Sequence, residues 1–495
     1  MADLGYSSFY EVYLTRDNGV QVVTNELSLS ILREMRVRTI TLREMTTLYS
    51  VSKSTVQSNL KKMASMGIVI SDDSLDDGRS VVYHIDALLL FTSDAPNEWQ
   101  LYAKKASLDR ILRNDRCTAK EDLSLYSVSL IESGLNIIPG LFNIGAAMVK
   151  SFDDMDWWTE QLRCSNTQCP IKGMDISLDL KTNLVLTFHS DEEVISDLSL
   201  VIVPMLGAIR AHSRAIVGFN LCHETNLSVE DEGHTVKLRI EPFKGQDFEI
   251  RPYVWNDLKS FKMSYPFSIY SISGKAMLFS NPTMMAILDA LYCKDMNLNE
   301  LESRLELPRA TLFVSLNKLT ELGAVRLDDS CSPKKYVLVA DSLLFVSDPV
   351  SSGYAKMQKL LQDFHDGKVD YYSTVIAYAV ETLRCMGLHF DRLFVRSGTH
   401  VAASVLEKYP DMDPQDFVDL SCGMVSPPDR VEVMRYLPPR IKLYNSPDTL
   451  WGSLSKNFLI GFLRHGLKSL LGFECPFYID SVIEKQSFPE LTYFS

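Results

Sequence analysis

One pattern of residues occurs twice in this chain, as Leu48-Tyr-Ser-Val-Ser-Lys-Ser-Thr-Val-Gln-Ser-Asn-Leu-Lys-Lys-Met-Ala-Ser-Met-Gly67 and as Arg304-Leu-Glu-Leu-Pro-Arg-Ala-Thr-Leu-Phe-Val-Ser-Leu-Asn-Lys-Leu-Thr-Glu-Leu-Gly323. The two copies align without a gap, because Gly67 and Gly323 stand 323 − 67 = 256 positions apart. In each copy a short polar turn precedes apolar residues at helical spacing, and a glycine follows. This pattern predicts a turn and a helix.

The same predicted elements precede both copies. Apolar and polar residues alternate over residues 6–23 and 267–279, on either side of a turn glycine, which predicts a hairpin. An apolar helix follows, over residues 26–36 in the first copy and 282–292 in the second, and asparagines stand at its N-caps. The next helix begins with a capping box in both copies. The capping residues are Thr41 with Glu44 and Asn297 with Glu300.

The repeated helix has one apolar face in each copy. The apolar residues are Val56, Leu60 and Met63 in the first copy and Leu312, Leu316 and Leu319 in the second. The terminal glycines are predicted C-caps. Two short strands then flank residues 73–79, and a similar pair follows the second copy. Three helices and such a hairpin predict a winged helix-turn-helix domain in each copy.

Segments outside these domains also repeat. Leu89-Leu-Phe-Thr-Ser-Asp94 matches Leu343-Leu-Phe-Val-Ser-Asp348, and Gly207-Ala-Ile-Arg210 matches Gly461-Phe-Leu-Arg464. The chain is therefore predicted to be an internal tandem duplication. The expected fold class is α+β, with two winged helix-turn-helix domains alternating with two α/β sensor domains. The expected domain limits are 1–92, 93–262, 263–347 and 348–495.

The repeated helix of the first copy has a face suited to DNA. Gln pairs with adenine in the major groove, while Ser, Thr and Lys contact phosphates. Such residues lie opposite the apolar face, and Arg79 at the tip of the predicted wing can enter the adjacent minor groove. The candidate DNA contacts of the first copy are Ser52, Lys53, Ser54, Thr55, Gln57, Ser58, Lys61 and Arg79.

The second copy departs from this chemistry. Phe313 and Val314 replace Gln57 and Ser58, and they cannot form hydrogen bonds with bases. Polar and basic residues remain nearby, so backbone contacts are expected there. These candidates are Arg309, Thr311, Lys318, Lys334 and Lys335. Alternatively, Phe313 and Val314 pack on a partner surface.

The spelling Val51-Ser-Lys-Ser-Thr-Val-Gln-Ser-Asn-Leu-Lys-Lys-Met63, followed by Gly67-Ile-Val69 and Asp77-Gly-Arg79, resembles the ArsR-type winged helix of prokaryotic transcription regulators. The resemblance implies that residues 52–61 contact DNA and that Arg79 is the wing contact. The metal-binding signatures of that family are absent from the sequence, so metal sensing is not implied.

The predicted sensor segments are less informative. In the second, a helical run over residues 371–386 precedes a connection over residues 387–398, and further helices and strands lead to Cys475. This order resembles the 4-vinyl-reductase-type small-molecule-binding domain, which implies an apolar or aromatic ligand, or a redox signal. The candidate residues are Cys164, Cys169, Trp157, Trp158, His389, Cys422 and Cys475. For each, an ordinary core or surface role is the alternative.

Composition limits the function classes. The net charge of −13 opposes non-specific coating of nucleic acid, and nine irregularly spaced cysteines fit a reducing cytoplasm. The longest uncharged stretch, residues 133–149, is shorter than the about 20 residues that a membrane span needs. No phosphate loop or nucleophile motif is present in the sequence, so neither enzyme activity nor a cofactor is expected.

These observations predict a cytoplasmic one-component transcription regulator that binds double-stranded DNA. The two winged helices would form an intramolecular pseudo-dimer, with or without further homodimerisation, and a small-molecule or redox effector would act through the sensors. Over residues 25–90 eight basic residues balance eight acidic ones, so binding is expected to be modest and salt-dependent. The alternative is a non-enzymatic scaffold whose winged helices bind proteins.

Overall fold

The computed structural model describes residues 6–7, 9–15, 19–37, 40–73, 81–94, 105, 108–109, 112–113, 135–137, 139–141, 174–179, 183–189, 221–230, 235–242, 267–330, 332–346, 354–369, 374, 377–378, 381, 383–384, 387–389, 391–425, 430–445, 451–473 and 475–483. They form helices and several small sheets, which confirms the predicted mixture of α and β structure. The chain divides into two compact units, one of residues 1–103 and 130–390 and the other of residues 104–129 and 391–495. The domain limits predicted from the sequence stay predictions.

The first compact unit begins with a hairpin and three helices. The elements are β1 (Tyr6–Ser7), β2 (Glu11–Thr15), β3 (Gly19–Val23), α1 (Glu26–Val37), β4 (Ile40–Thr41), α2 (Leu42–Tyr49), α3 (Lys53–Ser65), β5 (Val69–Asp73), β6 (Val81–Ile85) and β7 (Leu88–Thr92). We call α1 to β6, residues 26–85, the first three-helix module. Its predicted caps are confirmed, because Asn25 accepts from the Ser28 amide and Thr41 forms a capping box with Glu44.

A second set of elements follows in the same order. They are β12 (Ser268–Ile272), β13 (Lys275–Phe279), α4 (Pro282–Cys293), α5 (Leu298–Leu305), α6 (Arg309–Glu321), β14 (Val325–Asp328), β15 (Lys335–Leu338) and β16 (Asp341–Val346). We call α4 to β15, residues 282–338, the second three-helix module. Its predicted capping box of Asn297 and Glu300 is also confirmed.

Each three-helix module has its own apolar core. The predicted faces of the third helices are buried in these cores: Val56, Leu60 and Met63 in α3, and Leu312, Leu316 and Leu319 in α6. Both third helices end before a glycine with positive φ, 76° at Gly67 and 75° at Gly323, as predicted for C-caps.

The hairpins that introduce the modules lie in two sheets. The first has the strand order β3-β2-β7, and the second has the order β1-β13-β12-β16-β17, where β17 is Leu388–His389. The register shifts between Val12 and Tyr13 where β2 pairs with β7, and between Ile269 and Tyr270 where β12 pairs with β16. The short strand β1 pairs with β13, so the start of the chain adds a strand to the second sheet.

Further elements complete the first compact unit. Strands β8 (Met174–Asp179), β9 (Asn183–His189), β10 (Leu221–Glu230) and β11 (Thr235–Pro242) form an antiparallel sheet of order β10-β11-β9-β8. Helix α7 (Tyr354–His365) follows β16.

The second compact unit contains α8 (Asp391–Lys408), α9 (Pro414–Gly423), β18 (Arg430–Tyr436), β19 (Pro439–Asn445), α10 (Trp451–Leu471) and β20 (Tyr478–Ile483). Helix α10 connects the parallel neighbours β19 and β20. The predicted connection over residues 387–398 is wrong from residue 391 onward, because α8 already begins at Asp391. Burial of Leu393 and Phe394 favours this early start.

Helices α8 and α10 approach each other closely at two glycines. A Cβ atom built on Gly461 would lie 1.8 Å from the carbonyl oxygen of Val395, and one built on Gly398 would lie 2.0 Å from that of Phe458. Only glycine leaves room for backbones at this separation. The sequence matched Gly461 with Gly207, which lies outside the described residues.

Candidate nucleic-acid interface

Helix α3 presents a fixed outward face. Its N-cap is Ser52, whose hydroxyl accepts a hydrogen bond of 3.1 Å from the Thr55 amide. Asn59 on α3 accepts a hydrogen bond of 2.8 Å from the Ser28 hydroxyl on α1. With its apolar face buried in the module core, α3 cannot rotate freely, so the same side chains always face outward.

The outward face of α3 carries the predicted polar and basic residues. All of these side chains are exposed: Lys53, Ser54, Thr55, Gln57, Ser58 and Lys61. The hydroxyls of Ser54 and Thr55 each lie 2.8 Å from that of Ser52. Among the described residues, Lys53, Gln57, Ser58 and Lys61 have no hydrogen-bond or ion-pair partner. Side chains without a partner are available to bases and phosphates.

A buried ion pair ties α1 to the first sheet. The Glu11 carboxylate is fully buried and accepts hydrogen bonds of 2.9 Å from both terminal nitrogens of Arg36 and of 2.7 Å from the Tyr13 hydroxyl. Burial, followed by the charge of Glu11, raises the pKa of Tyr13, so this hydroxyl stays a donor. Burial lowers the pKa of Arg36, but Tyr13 and Glu11 outweigh it and the net pKa is raised. Sequence analysis missed this network, which holds the β2–β3 hairpin against α1. Helix α1 in turn contacts α3 through the Ser28–Asn59 hydrogen bond.

The β5–β6 hairpin stands where the wing was predicted. Val69 pairs with Ile85 and Asp73 with Val81. The predicted wing contact Arg79 lies in the tip, residues 74–80, outside the described residues.

Two of the four basic candidates of the second module form ion pairs within it. Arg309 donates to Asn299 at 2.6 Å and lies 3.3 Å from a Glu302 oxygen. Lys334 pairs with Asp329 at 2.8 Å. Lys318 and Lys335 are half-buried, and Thr311 is exposed. The charges predicted to contact phosphates are therefore partly neutralised within the module.

The outward face of α6 carries two large apolar side chains and one side-chain amide. Phe313 and Val314 are 51% and 54% exposed, large values for apolar side chains. Asn317 is also exposed, and among the described residues its amide has no hydrogen-bond partner. Asn317 stands 256 positions after Lys61, so the alignment of the two copies contained this signal although sequence analysis missed it.

The structure describes three of the seven sensor candidates. His389 lies in strand β17 rather than in a helix or turn, and its ring stacks on Phe345 at 4.6 Å. Cys475 is half-buried and precedes β20, and Cys422 lies on α9. Burial raises the pKa of the Cys422 thiol, and the charge of Asp419 adds to this, so the thiol stays protonated at neutral pH. The other four, Cys164, Cys169, Trp157 and Trp158, lie outside the described residues.

The described residues contain no group of three or more His, Cys, Asp or Glu side chains that could hold a metal ion. Across the same residues, every helix is too short or too polar to span a bilayer.

Comparison of the chain with protein-family models, with curated proteins and with solved structures finds no match.

Proposed function

We propose that this chain is a sequence-specific regulator of transcription that binds double-stranded DNA through two winged helix-turn-helix domains. The proposal depends above all on the outward face of α3, where Lys53, Gln57, Ser58 and Lys61 are exposed and have no partner among the described residues. A helix with a buried apolar face and a free polar and basic face can enter a major groove without losing internal contacts.

The turn between the second and third helices supports the assignment of winged helix-turn-helix domains. In the first module Ser50 ends α2 with φ of 51°, and in the second Glu306 ends α5 with φ of 52°. A single left-handed residue turns the chain sharply, so that the third helix starts three residues later. Both modules then continue into an antiparallel hairpin, β5–β6 and β14–β15.

Three correspondences support an internal duplication. The two left-handed residues stand 256 positions apart, as do Gly67 and Gly323. The introducing strands β2 and β12 both carry a register shift after their second residue. The strand that follows each module also pairs with a later part of the chain: β7 pairs with Asn136, and β16 pairs with β17.

Strand β1 supports a pseudo-dimer of the two domains. Tyr6 and Ser7 pair with Phe279 and Leu278 in the second sheet, and the chain enters β2 of the first sheet at Glu11. The Cα atoms of Ser7 and Glu11 are joined by four peptide links, which span at most about 14 Å. Such a short tether limits the separation of the two sheets, so the spacing of two DNA half-sites would be set within one chain.

The remaining segments would carry the signal. In this proposal they respond to a small apolar or aromatic ligand or to a redox change, and alter the angle between the two DNA-binding helices. The chain itself performs no catalysis in this scheme.

Fluorescence polarisation with the full chain tests the proposal. A duplex is first selected from a random-sequence library, and binding is compared with that of a shuffled duplex at two salt concentrations. Lys61→Ala should weaken binding and reduce the slope of log affinity against log salt by about one, because one phosphate contact is lost. Gln57→Ala should weaken binding by roughly fivefold or more with an unchanged slope, because a base contact is lost.

A matched control keeps the test specific. Lys359 is an exposed lysine on α7, so Lys359→Ala should leave both affinity and slope unchanged. If the wild-type chain shows no preference for the selected duplex over the shuffled one, the proposal fails.

A protein-binding scaffold is the second candidate. The exposed Phe313 and Val314 favour it, since apolar side chains on a helix surface often mark protein contacts. Under this alternative the chain binds no duplex selectively, and the α3 substitutions have no effect in the polarisation assay.

A further inference from the structure

Four exposed side chains share one outward face of α6. They are Ala310, Phe313, Val314 and Asn317, spaced as i, i+3, i+4 and i+7. They take the places that the outward residues of α3 have in the first module. Those residues are Ser54, Gln57, Ser58 and Lys61, each 256 positions earlier. The two third helices therefore present different chemistry at equivalent positions.

The chemistry of the α6 face matches one kind of base pair. The methyl group of thymine accepts apolar contacts in the major groove, and adenine offers N7 as an acceptor and N6 as a donor. An asparagine amide satisfies both adenine groups at once, while phenylalanine and valine cover methyl groups. A G·C pair has no methyl group and presents a different donor and acceptor pattern. The α6 face is thus complementary to A·T pairs and not to G·C pairs.

The charge of α6 permits approach to DNA. From Arg309 to Thr320 the helix contains no acidic residue, and Glu321 stands at its C-terminal end. The N-terminal end of a helix carries a partial positive charge that favours phosphate. Lys318 lies one residue after Asn317 at the edge of the same face. These features favour a nucleic-acid partner over an apolar protein groove.

We propose that α6 reads A·T pairs in the major groove, with Asn317 contacting adenine and Phe313 and Val314 contacting thymine methyl groups. This inference rests on the proposed function, and it assigns a base preference to the second domain. The chain would then recognise an asymmetric site, with one half-site read by hydrogen bonds from α3 and an A·T-rich half-site read by α6.

Base analogues test the proposal with the full chain and the selected duplex. Replacing thymine with deoxyuridine removes only the methyl group, and each contacted methyl should account for about fourfold in affinity. In Phe313→Ala and Val314→Ala the affinity ratio between the two duplexes should move towards one. Replacing adenine with 7-deazaadenine in the A·T-rich half-site alone removes N7 there and should cost roughly fivefold or more, but not in Asn317→Ala.

Val339→Ala is the matched control, because Val339 has the same exposure of 54% but lies outside α6. It should retain the full thymine-to-deoxyuridine ratio. If the chain binds its selected duplex but the analogues have no effect, or Phe313→Ala leaves the ratio unchanged, this inference is overturned while the proposed function stands. A selected duplex with no preference over random DNA overturns both. A change in particle mass for Phe313→Ala by light scattering would instead assign the face to a protein contact and overturn the inference.

Discussion

Replacing Arg36 with leucine should destabilise the contact between the first sheet and the first three-helix module. The variant leaves the Glu11 carboxylate fully buried and removes two hydrogen bonds of 2.9 Å. Tyr13 still donates at 2.7 Å, but Arg33 Nε lies 3.5 Å away on a side chain that is half exposed. The buried charge of Glu11 then keeps one short hydrogen bond, from Tyr13, and the longer contact with the half-exposed Arg33.

The expected loss of stability in Arg36→Leu follows from the burial of the Glu11 carboxylate. Removing one partner of a buried ion pair costs about 3–5 kcal/mol, because the remaining charge is uncompensated. The pair Arg309–Glu302 is a control within the same chain, since its side chains are 57% and 42% exposed at 3.3 Å. Solvent screens such a pair, and Arg309→Leu should cost at most about 1 kcal/mol. In the double variant Glu11→Leu with Arg36→Leu most of the loss should be recovered, because no buried charge remains.

Hydrogen exchange on the full chain is the appropriate assay, because a chain with several units has no single unfolding transition. In Arg36→Leu the protection of amides in β2 and α1 should fall by about 10²–10⁴-fold, while α6 stays unchanged. A loss below about 1 kcal/mol, equal to that of Arg309→Leu, would refute the argument that burial makes this pair important.

Three further predictions concern packing, pH and capping. Gly461→Ala should separate α8 from α10 and increase hydrogen exchange in both helices, because the new Cβ would lie 1.8 Å from the carbonyl oxygen of Val395. Gly423→Ala should be neutral in the same experiment, because no atom lies within 4 Å of a Cβ built there. Burial, followed by the charges of Arg396 and Lys468, lowers the pKa of His465 below 6.5 in the folded state. The unfolded state therefore binds a proton at a higher pH than the folded state, and the protection of α10 amides should fall as the pH drops below 6.5. His465→Leu should remove this pH dependence. Ser52→Ala should reduce protection at the start of α3 by about 0.5–2 kcal/mol, and an unchanged rate would contradict its role as a cap.

Local elements were predictable because their causes are local. A capping box spans four residues, and a buried helix face repeats every three to four positions, so Thr41, Asn297 and the apolar residues of α3 could be assigned from the sequence. The start of helix α8 was misplaced, because Gly387 and Gly398 indicate the limits of a connection, although Asp391 is a residue type common at helix starts.

The candidate interface was only partly predictable. Exposure of Gln57 and Lys61 followed from the face opposite the buried residues. The contacts of Arg309 with Asn299 and Glu302 could not be predicted, because the sequence does not show which charged side chains meet across a turn. The outward position of Asn317 was available from the alignment of the two copies, but its meaning depends on finding its amide without a partner among the described residues.

The order of helices and hairpins, the buried face of each third helix and the 256-residue correspondence between the copies could be inferred from the amino-acid sequence alone. Which distant residues meet is known only from the folded structure. It pairs β1 with β13, places Arg36 on a buried Glu11, and brings Gly398 against the backbone of Phe458 and Gly461 against that of Val395. Contacts of this kind depend on how the chain closes over long separations, which no local pattern of residues encodes. The chemistry of each third helix was thus present in the sequence, while the structure decided which of its side chains stay free for a ligand.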